Sequence, residues 1–323
     1  MSRNSITKAA TVAVLAMAAA SCFTGVESTP RIGDAEVRRR QAAEQTAEQR
    51  FLADVRPEAP SQWRRGHTAW LVSDPRFARV LAPMTAVPDS LAGRTMLFGG
   101  FAAAASLTGS DATDVTLVDA SDGTVVRYRV AVPSSAIDTV SQLEVPFAID
   151  LGLVARVDSM MRGRLLYVCT PDWFDGRGRD VSGLRHIEVT VDSVVPGSYL
   201  YPTAVYFTPT DSRQAARASI APDDTRFLYM SVGGVGASTR SFDRLFAFDN
   251  PRRRFPNIED DVWELITASR VREGMTRDEC RLALGSPTAI NRYPTRGGMR
   301  EVWNYSDGVY LAFDDGYLTS FRQ

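Results

Sequence analysis

The stretch Thr276-Arg277-Asp278-Glu279, followed by Gly285-Ser286-Pro287, marks both ends of one helix and constrains the fold more than any other part of the chain. The Thr276 hydroxyl is placed to accept from the Glu279 amide while the Glu279 carboxylate accepts from the Thr276 amide, a reciprocal cap for donors left free at a helix start. Met275 before the cap and Cys280 after it fit a hydrophobic staple. Gly285 supplies the left-handed residue that ends the helix, and Pro287 prevents its continuation. Upstream, Asn257 is placed to cap a helix bearing Ile258, Val262, Leu265 and Ile266 at helical spacing and broken by Gly274. Downstream, four β-type segments, around 289–293, 301–305, 309–313 and 317–321, are separated by Gly297-Gly298, Asp307-Gly308 and Asp315-Gly316, dipeptides suited to tight hairpins. Residues 256–323 therefore read as an α+β module, two helices on a three- to four-stranded antiparallel meander.

Within it, Val271-Arg272-Glu273-Gly274-Met275-Thr276, Leu284-Gly285-Ser286-Pro287, Glu301-Val302-Trp303-Asn304-Tyr305 and Leu311-Ala312-Phe313-Asp314-Asp315-Gly316 resemble the SmpA/OmlA (BamE-like) domain of bacterial outer-membrane lipoproteins. The resemblance spans roughly residues 266–321. It implies a two-helix, three-stranded fold that scaffolds or binds partners at the cell envelope without catalysis. Related folds include a secreted inhibitor of β-lactamase, so the fold does not fix the partner. Trp263, Trp303, Tyr305, Tyr310 and Phe313 are core candidates first, as alternating aromatics on a meander are. An exposed subset of them, with Trp303, Tyr305 and Tyr310 as the candidates, would make a protein-contact patch.

At the other end, Arg3 and Lys8 lead into an apolar run at residues 9–20, the pattern of a secretory signal and too short to span a bilayer. Ala19-Ala20-Ser21-Cys22 resembles the bacterial lipoprotein signal, which implies that Cys22 is lipidated and becomes the N-terminus. Ala19 departs from the larger aliphatic residue of that pattern and leaves ordinary cleavage after Ala18-Ala19-Ala20 as the alternative. Residues 23–66 read as a tether and a polar helix: 23–33 hold Gly, Ser, Thr and Pro, and 34–54 carry only Val37, Phe51 and Leu52 as sizeable apolar residues, so a solvated spacer is expected.

The middle of the chain changes to short β-type runs. Alternation at 115–119 and 125–130 around Ser121-Asp122-Gly123 predicts a hairpin, whereas 133–158 is a mixed apolar segment. Leu91-Ala92-Gly93-Arg94 and Met161-Arg162-Gly163-Arg164 open two stretches about seventy residues apart with the same apolar-x-Gly-Arg start. We read two small β-rich units, 67–158 and 159–255, with barrels or sandwiches as the economical way to avoid exposed strand edges.

Composition removes several function classes. A formal charge of -1 lacks the basic footprint of a nucleic-acid binder. Lys8 is the only lysine and lies in the signal, which excludes Schiff-base chemistry and a Walker-type phosphate loop from the rest of the chain. Cys169 and Cys280 read as small buried hydrophobes, and with two distant histidines they make no zinc site. Asp172, Asp175 and Asp180 suggest a cation loop only until Arg177 and Arg179 are noticed inside it; a hairpin loop is the simpler reading. Gly233-Gly234-Val235-Gly236 lacks the helix and acid of a dinucleotide site. His67 and His186 have no recognisable nucleophile beside them, and the acid pairs 223–224, 260–261 and 314–315 fall in turns or first helical turns.

No catalytic, cofactor or metal residues are therefore assigned. The expected molecule is mainly β and multi-domain, held through lipid on Cys22 to the outer membrane facing the periplasm, and acts as a non-enzymatic protein-interaction or scaffolding component with an envelope protein as partner. The rivals are an envelope hydrolase with its site in residues 67–255, and a secreted inhibitor or adhesion protein.

Overall fold

The computed structural model describes residues 45–82, 90–104, 111–218, 224–295, 298–306 and 308–323. The chain divides into two compact units, residues 1–45 and 46–323. The signal segment, Cys22 and the tether up to residue 44 lie outside the described residues. The second unit opens on a short helix, α1 (Ala47–Arg50), held by a capping box between Thr46 and Gln49. The rest of this unit is mainly β, with three antiparallel sheets.

The first sheet contains β1 (Ala69–Val72), β2 (Thr95–Ala104), β3 (Ala112–Asp119), β4 (Val125–Val130) and β5 (Ala148–Asp150) in the order β4-β3-β2-β1-β5. The expected hairpin is β3–β4, paired from Thr113 with Val130 to Val118 with Val125. Its turn is closed by Asp119 Oδ1, which accepts from the Ser121 amide and hydroxyl at 2.7 and 2.6 Å, and by Arg94, which bridges Asp119 and Asp122 at 2.8 and 2.7 Å. Trp70, Met96, Val115, Leu117 and Val126 form the core here, joined by Phe77 and Ile137 from two short 3-10 turns.

The segment read as mixed apolar contains a helix, α2 (Leu151–Met161), capped by Asp150, whose Oδ1 accepts from the Leu153 amide at 3.0 Å. Its stripe of Leu153, Val154, Val157 and Met161 packs on the second sheet, the spacing that marks one helical face. That sheet contains β6 (Leu165–Val168), β7 (Asp172–Asp175), β8 (Asp180–Ser182), β9 (Ile187–Pro196), β10 (Thr203–Pro209), β11 (Arg226–Met230) and β12 (Phe246–Ala247) in the order β12-β6-β9-β10-β11-β7-β8. Two short helices, α3 (Ser212–Arg217) and α4 (Phe242–Leu245), flank it. Leu166, Val189, Val205, Phe207, Leu228 and Met230 face α2, and an aromatic cluster of Phe174, Tyr206, Phe227 and Tyr229 occupies the alternate positions.

Neither sheet closes into a barrel, contrary to the expectation. Strands as short as β12, two residues, and β8, three residues, end the second sheet, and the edge strand β4 of the first meets an isolated bridge from Leu81 to Tyr128. Short or covered edges remove the need for closure. The repeated start is real as a turn: Gly93 and Gly163 both adopt positive φ, 82° and 75°, immediately before β2 and β6. The likeness stops there, because the two sheets differ in strand number and order.

Residues 46–66 are no solvated spacer. Leu52 is buried in the core of the second sheet and Trp63 in that of the first. Phe51 packs on Phe242 and Phe248 with ring centroids 4.6 and 5.2 Å apart, and Trp63 on Trp70 and Phe98 at 4.7 and 5.4 Å. Few apolar residues sufficed because each is large and each meets a complementary pocket.

The C-terminal module has its own core. Helices α5 (Asp260–Thr267) and α6 (Arg277–Leu284) place Val262, Ile266, Cys280 and Ala283 against Trp303, Leu311, Phe313 and Leu318 of a four-stranded meander, β13 (Ala289–Thr295), β14 (Gly298–Asn304), β15 (Tyr310–Asp314) and β16 (Tyr317–Arg322). The capping box at α6 forms as expected, with the Thr276 amide 2.7 Å from Glu279 Oε2, and Gly285 ends the helix at φ 82°. Asn257 does not cap α5. The helix begins at Asp260 after Glu259, which offers no side-chain cap, and Ile258 is buried in the core ahead of it.

Candidate functional site

Strand register in the C-terminal meander decides which side chains the module buries and which it exposes. Trp303 lies opposite Leu311 and Glu301 opposite Phe313, so these positions face α5 and α6. The intervening positions face away, and one cross-strand row of them reads Tyr293, Arg300, Asp314, Tyr317 through successive pairings. At its centre Arg300 forms a two-pronged ion pair with Asp314, both contacts 2.8 Å, and the Arg300 hydrogen bond holds the Asp314 carboxyl below its usual range. A second row runs Asn304, Tyr310, Arg322. Tyr293, Tyr310 and Tyr317 are 51%, 38% and 58% exposed.

This corrects two of the three aromatic contact candidates. Trp303 is fully buried, its indole N–H donating to Glu301 Oε2 at 3.1 Å. Tyr305 is half-buried and donates its hydroxyl to the Gly285 carbonyl at 3.2 Å, bracing the end of α6. Only Tyr310 stands on the open face. Tyr293 and Tyr317 were legible in principle, since period-two alternation counted outward from the buried Trp303 and Phe313 places them there once register is known.

Beneath this face, Glu301 is the buried acid of the module. Burial raises its carboxyl, but the Trp303 N–H, Arg292 at 3.1 Å and Arg277 at 3.4 Å outweigh that and keep it low. Both Glu301 carboxylate oxygens accept a hydrogen bond in this network, which ties neighbouring strands together.

A second feature lies where the first two sheets meet. A cleft of about 380 Å³ is bounded by β5, the start of α2, residues 199–202 and the glycine loop at 234–237. Trp70, Val145, Ile149 and Leu153 line it, with Glu144 and Asp150 as its acids. Burial raises the Asp150 carboxyl against the opposing hydrogen bond from the Leu153 amide. The glycine loop is built for close approach. A Cβ at Gly236 would stand 2.6 Å from the Leu200 carbonyl oxygen, and one at Gly233 would collide with the Val55 carbonyl. Gly233 and Gly236 thus serve backbone packing, while Gly234 meets the need for a positive φ of 84°.

The remaining candidates resolve as structural groups. Asp175 accepts from the Arg179 amide at 3.0 Å, the Arg179 side chain at 2.8 Å and the Arg177 amide at 2.9 Å, bonds that hold its carboxyl at about 2 and shape the hairpin turn between β7 and β8. Asp172 and Asp180 stay exposed, and no group of metal-ligating side chains assembles among the described residues. His186 is wedged between sheet and helices, Nε2 3.3 Å from the Leu282 carbonyl and its ring 5.6 Å from Trp263; burial lowers it to about 4. His67 is exposed on an open recess also lined by Glu58 and Asp150, and no hydrogen bond joins it to either among the described residues. Asp260 and Asp261 pair with Arg252 and Arg272 at 2.9 and 2.7 Å. Cys169 and Cys280 are free thiols, pushed by burial up to about 11 and 12 and so unreactive near neutral pH.

No protein-family model, curated protein or solved structure matches the chain.

Proposed function

We propose that the chain is a lipid-anchored, non-enzymatic binding component of the bacterial cell envelope, whose C-terminal module docks a folded protein through the outer face of its meander. The observation that carries the reading is the Tyr293–Arg300–Asp314–Tyr317 row with Tyr310 beside it. Tyrosine supplies large, stiff contact area with a hydrogen-bonding tip, and tyrosine and arginine are the side chains enriched at the energetic centres of protein interfaces. Pairing Arg300 with Asp314 leaves neither sign of charge in excess within that row, and Arg322 in the neighbouring row adds a single positive charge, a mixed surface that suits a protein partner. The sheet beneath is held rigid by the Trp303 and Phe313 core, whose ring centroids lie 4.7 Å apart, so little ordering cost attends docking.

The anchor and compartment rest on the signal-like start and Cys22, and the BamE-like reading of the module rests on its sequence motifs. The test places a photo-crosslinking amino acid at Tyr310 in the native host. A discrete protein adduct is expected, lost in a Tyr293→Ser/Tyr317→Ser background and not obtained from a control site at Arg281 on α6. Binding of the purified partner should fall at least about tenfold in the double variant. Identical adducts from the control site, or binding untouched by the serine substitutions, would refute the docking face.

A further inference from the structure

We propose that the cleft between the first two sheets binds a small apolar molecule carrying a protonated amine. Its volume, about 380 Å³, lies at the small end of the range of ligand sites, roughly 300 to 1,000 Å³. The walls are chiefly hydrocarbon and aromatic, with Trp70, Ile149 and Leu153 buried behind them. Both ionisable acids of the lining, Glu144 and Asp150, are anionic when charged, and among the described residues no basic side chain lines the cleft. The nearby guanidinium groups have their hydrogen-bond partners outside the cleft, and only the Arg156 charge also acts on Asp150. Arg156 donates to the Arg56 carbonyl at 2.6 Å and to Glu58 at 3.3 Å, and Arg76, beyond Tyr199, is clasped by Asp74 at 2.7 Å. An ammonium is therefore the complementary head group, and a carboxylate would face two acids with no basic side chain among the described lining.

Leu200 is 58% exposed at the rim, where an apolar body seated in the cleft would cover it. Asp150 also caps α2, so its carboxylate is held in place by the Leu153 amide rather than free to swing into solvent. An ammonium beside it would offset the burial that now raises its carboxyl.

The purified full chain is titrated at pH 7 with 2-phenylethylamine, 3-phenylpropionate and 2-phenylethanol, read by calorimetry and by saturation-transfer NMR. Saturable one-site binding of the amine is expected, at least about tenfold tighter than either relative. Asp150→Asn keeps a helix-capping side chain while removing the charge, and Glu144→Gln alters an exposed residue, so neither should unfold the protein. Each should weaken the amine by about fivefold or more, and Leu200→Ser should weaken it without restoring the carboxylate. Equal binding of 3-phenylpropionate or 2-phenylethanol, amine binding indifferent to both acid variants, or no saturable binding up to about 10 mM would overturn the proposal.

Discussion

His186 shows how one side chain couples two parts of the molecule. Its backbone adopts φ 58°, its amide reaches the Val168 carbonyl at 2.5 Å, and its ring meets Leu282 and Trp263 from the C-terminal helices. Burial outweighs the Leu282 carbonyl and takes the imidazole from 6.5 to about 4. Between these values the unfolded chain holds more protons than the folded one, so stability rises with pH there and is lost as pH falls from 6.5 toward 4. The loss should reach at most about 3 kcal/mol. His186→Asn, which tolerates the left-handed backbone, should flatten that stretch of a plot of urea midpoint against pH; an unchanged slope would show that another group titrates. Asp119 acts in a lower window. Burial raises it, but Ser121 and Arg94 hold it at about 2 against an ordinary 3.8, so its contribution is present above 3.8 and disappears as pH falls to about 2. Asp119→Asn should lower stability above pH 3.8 and shrink the acid limb without abolishing it, because Asp175 titrates in the same window.

Among the elements, the segment from Thr46 to Gly66 departs furthest from its composition. Polar in sequence, it nevertheless sends Leu52 into one core and Trp63 into another. Leu52→Ala should cost about 2 to 4 kcal/mol and Trp63→Ala about 3 to 5 in chemical denaturation, whereas a solvated spacer would show less than about 0.5. The glycine loop makes a companion case. Gly236→Ala adds a Cβ at φ 81°, 2.6 Å from the Leu200 carbonyl, and should destabilise by about 1 kcal/mol or more while disturbing the rim of the cleft. Wild-type stability in that variant would mean the loop relaxes freely.

For the whole molecule the decisive proposed interaction is covalent and lies at Cys22. No helix among the described residues is long and apolar enough to cross a membrane, and a net charge of -1 offers little attraction to anionic lipid. If lipid on Cys22 is the attachment, each buried methylene contributes about 0.8 kcal/mol and the anchor should resist high-salt washing. Cys22→Ala should move the protein from the membrane pellet to the soluble fraction with its unfolding curve unchanged. Retention in the pellet would point to attachment through the folded unit.

What the sequence alone determined was local: the Thr276–Glu279 cap, the Gly285 stop, the β3–β4 hairpin with its Asp119–Gly123 turn, and the C-terminal meander. Capping and turn chemistry act within about four residues, so the atoms that decide them are adjacent along the chain. The same signals stood at Asp150 with its apolar stripe, and α2 was legible there too. Tertiary structure alone decided that Trp303 turns inward while Tyr293 and Tyr317 turn outward, because a shift of one residue in strand pairing exchanges the two faces. It also decided the cleft, whose lining runs from Pro57 to Ala237. Its acids and its apolar walls come from segments far apart in the chain, and only the packing of α2 against two sheets gives them a common space.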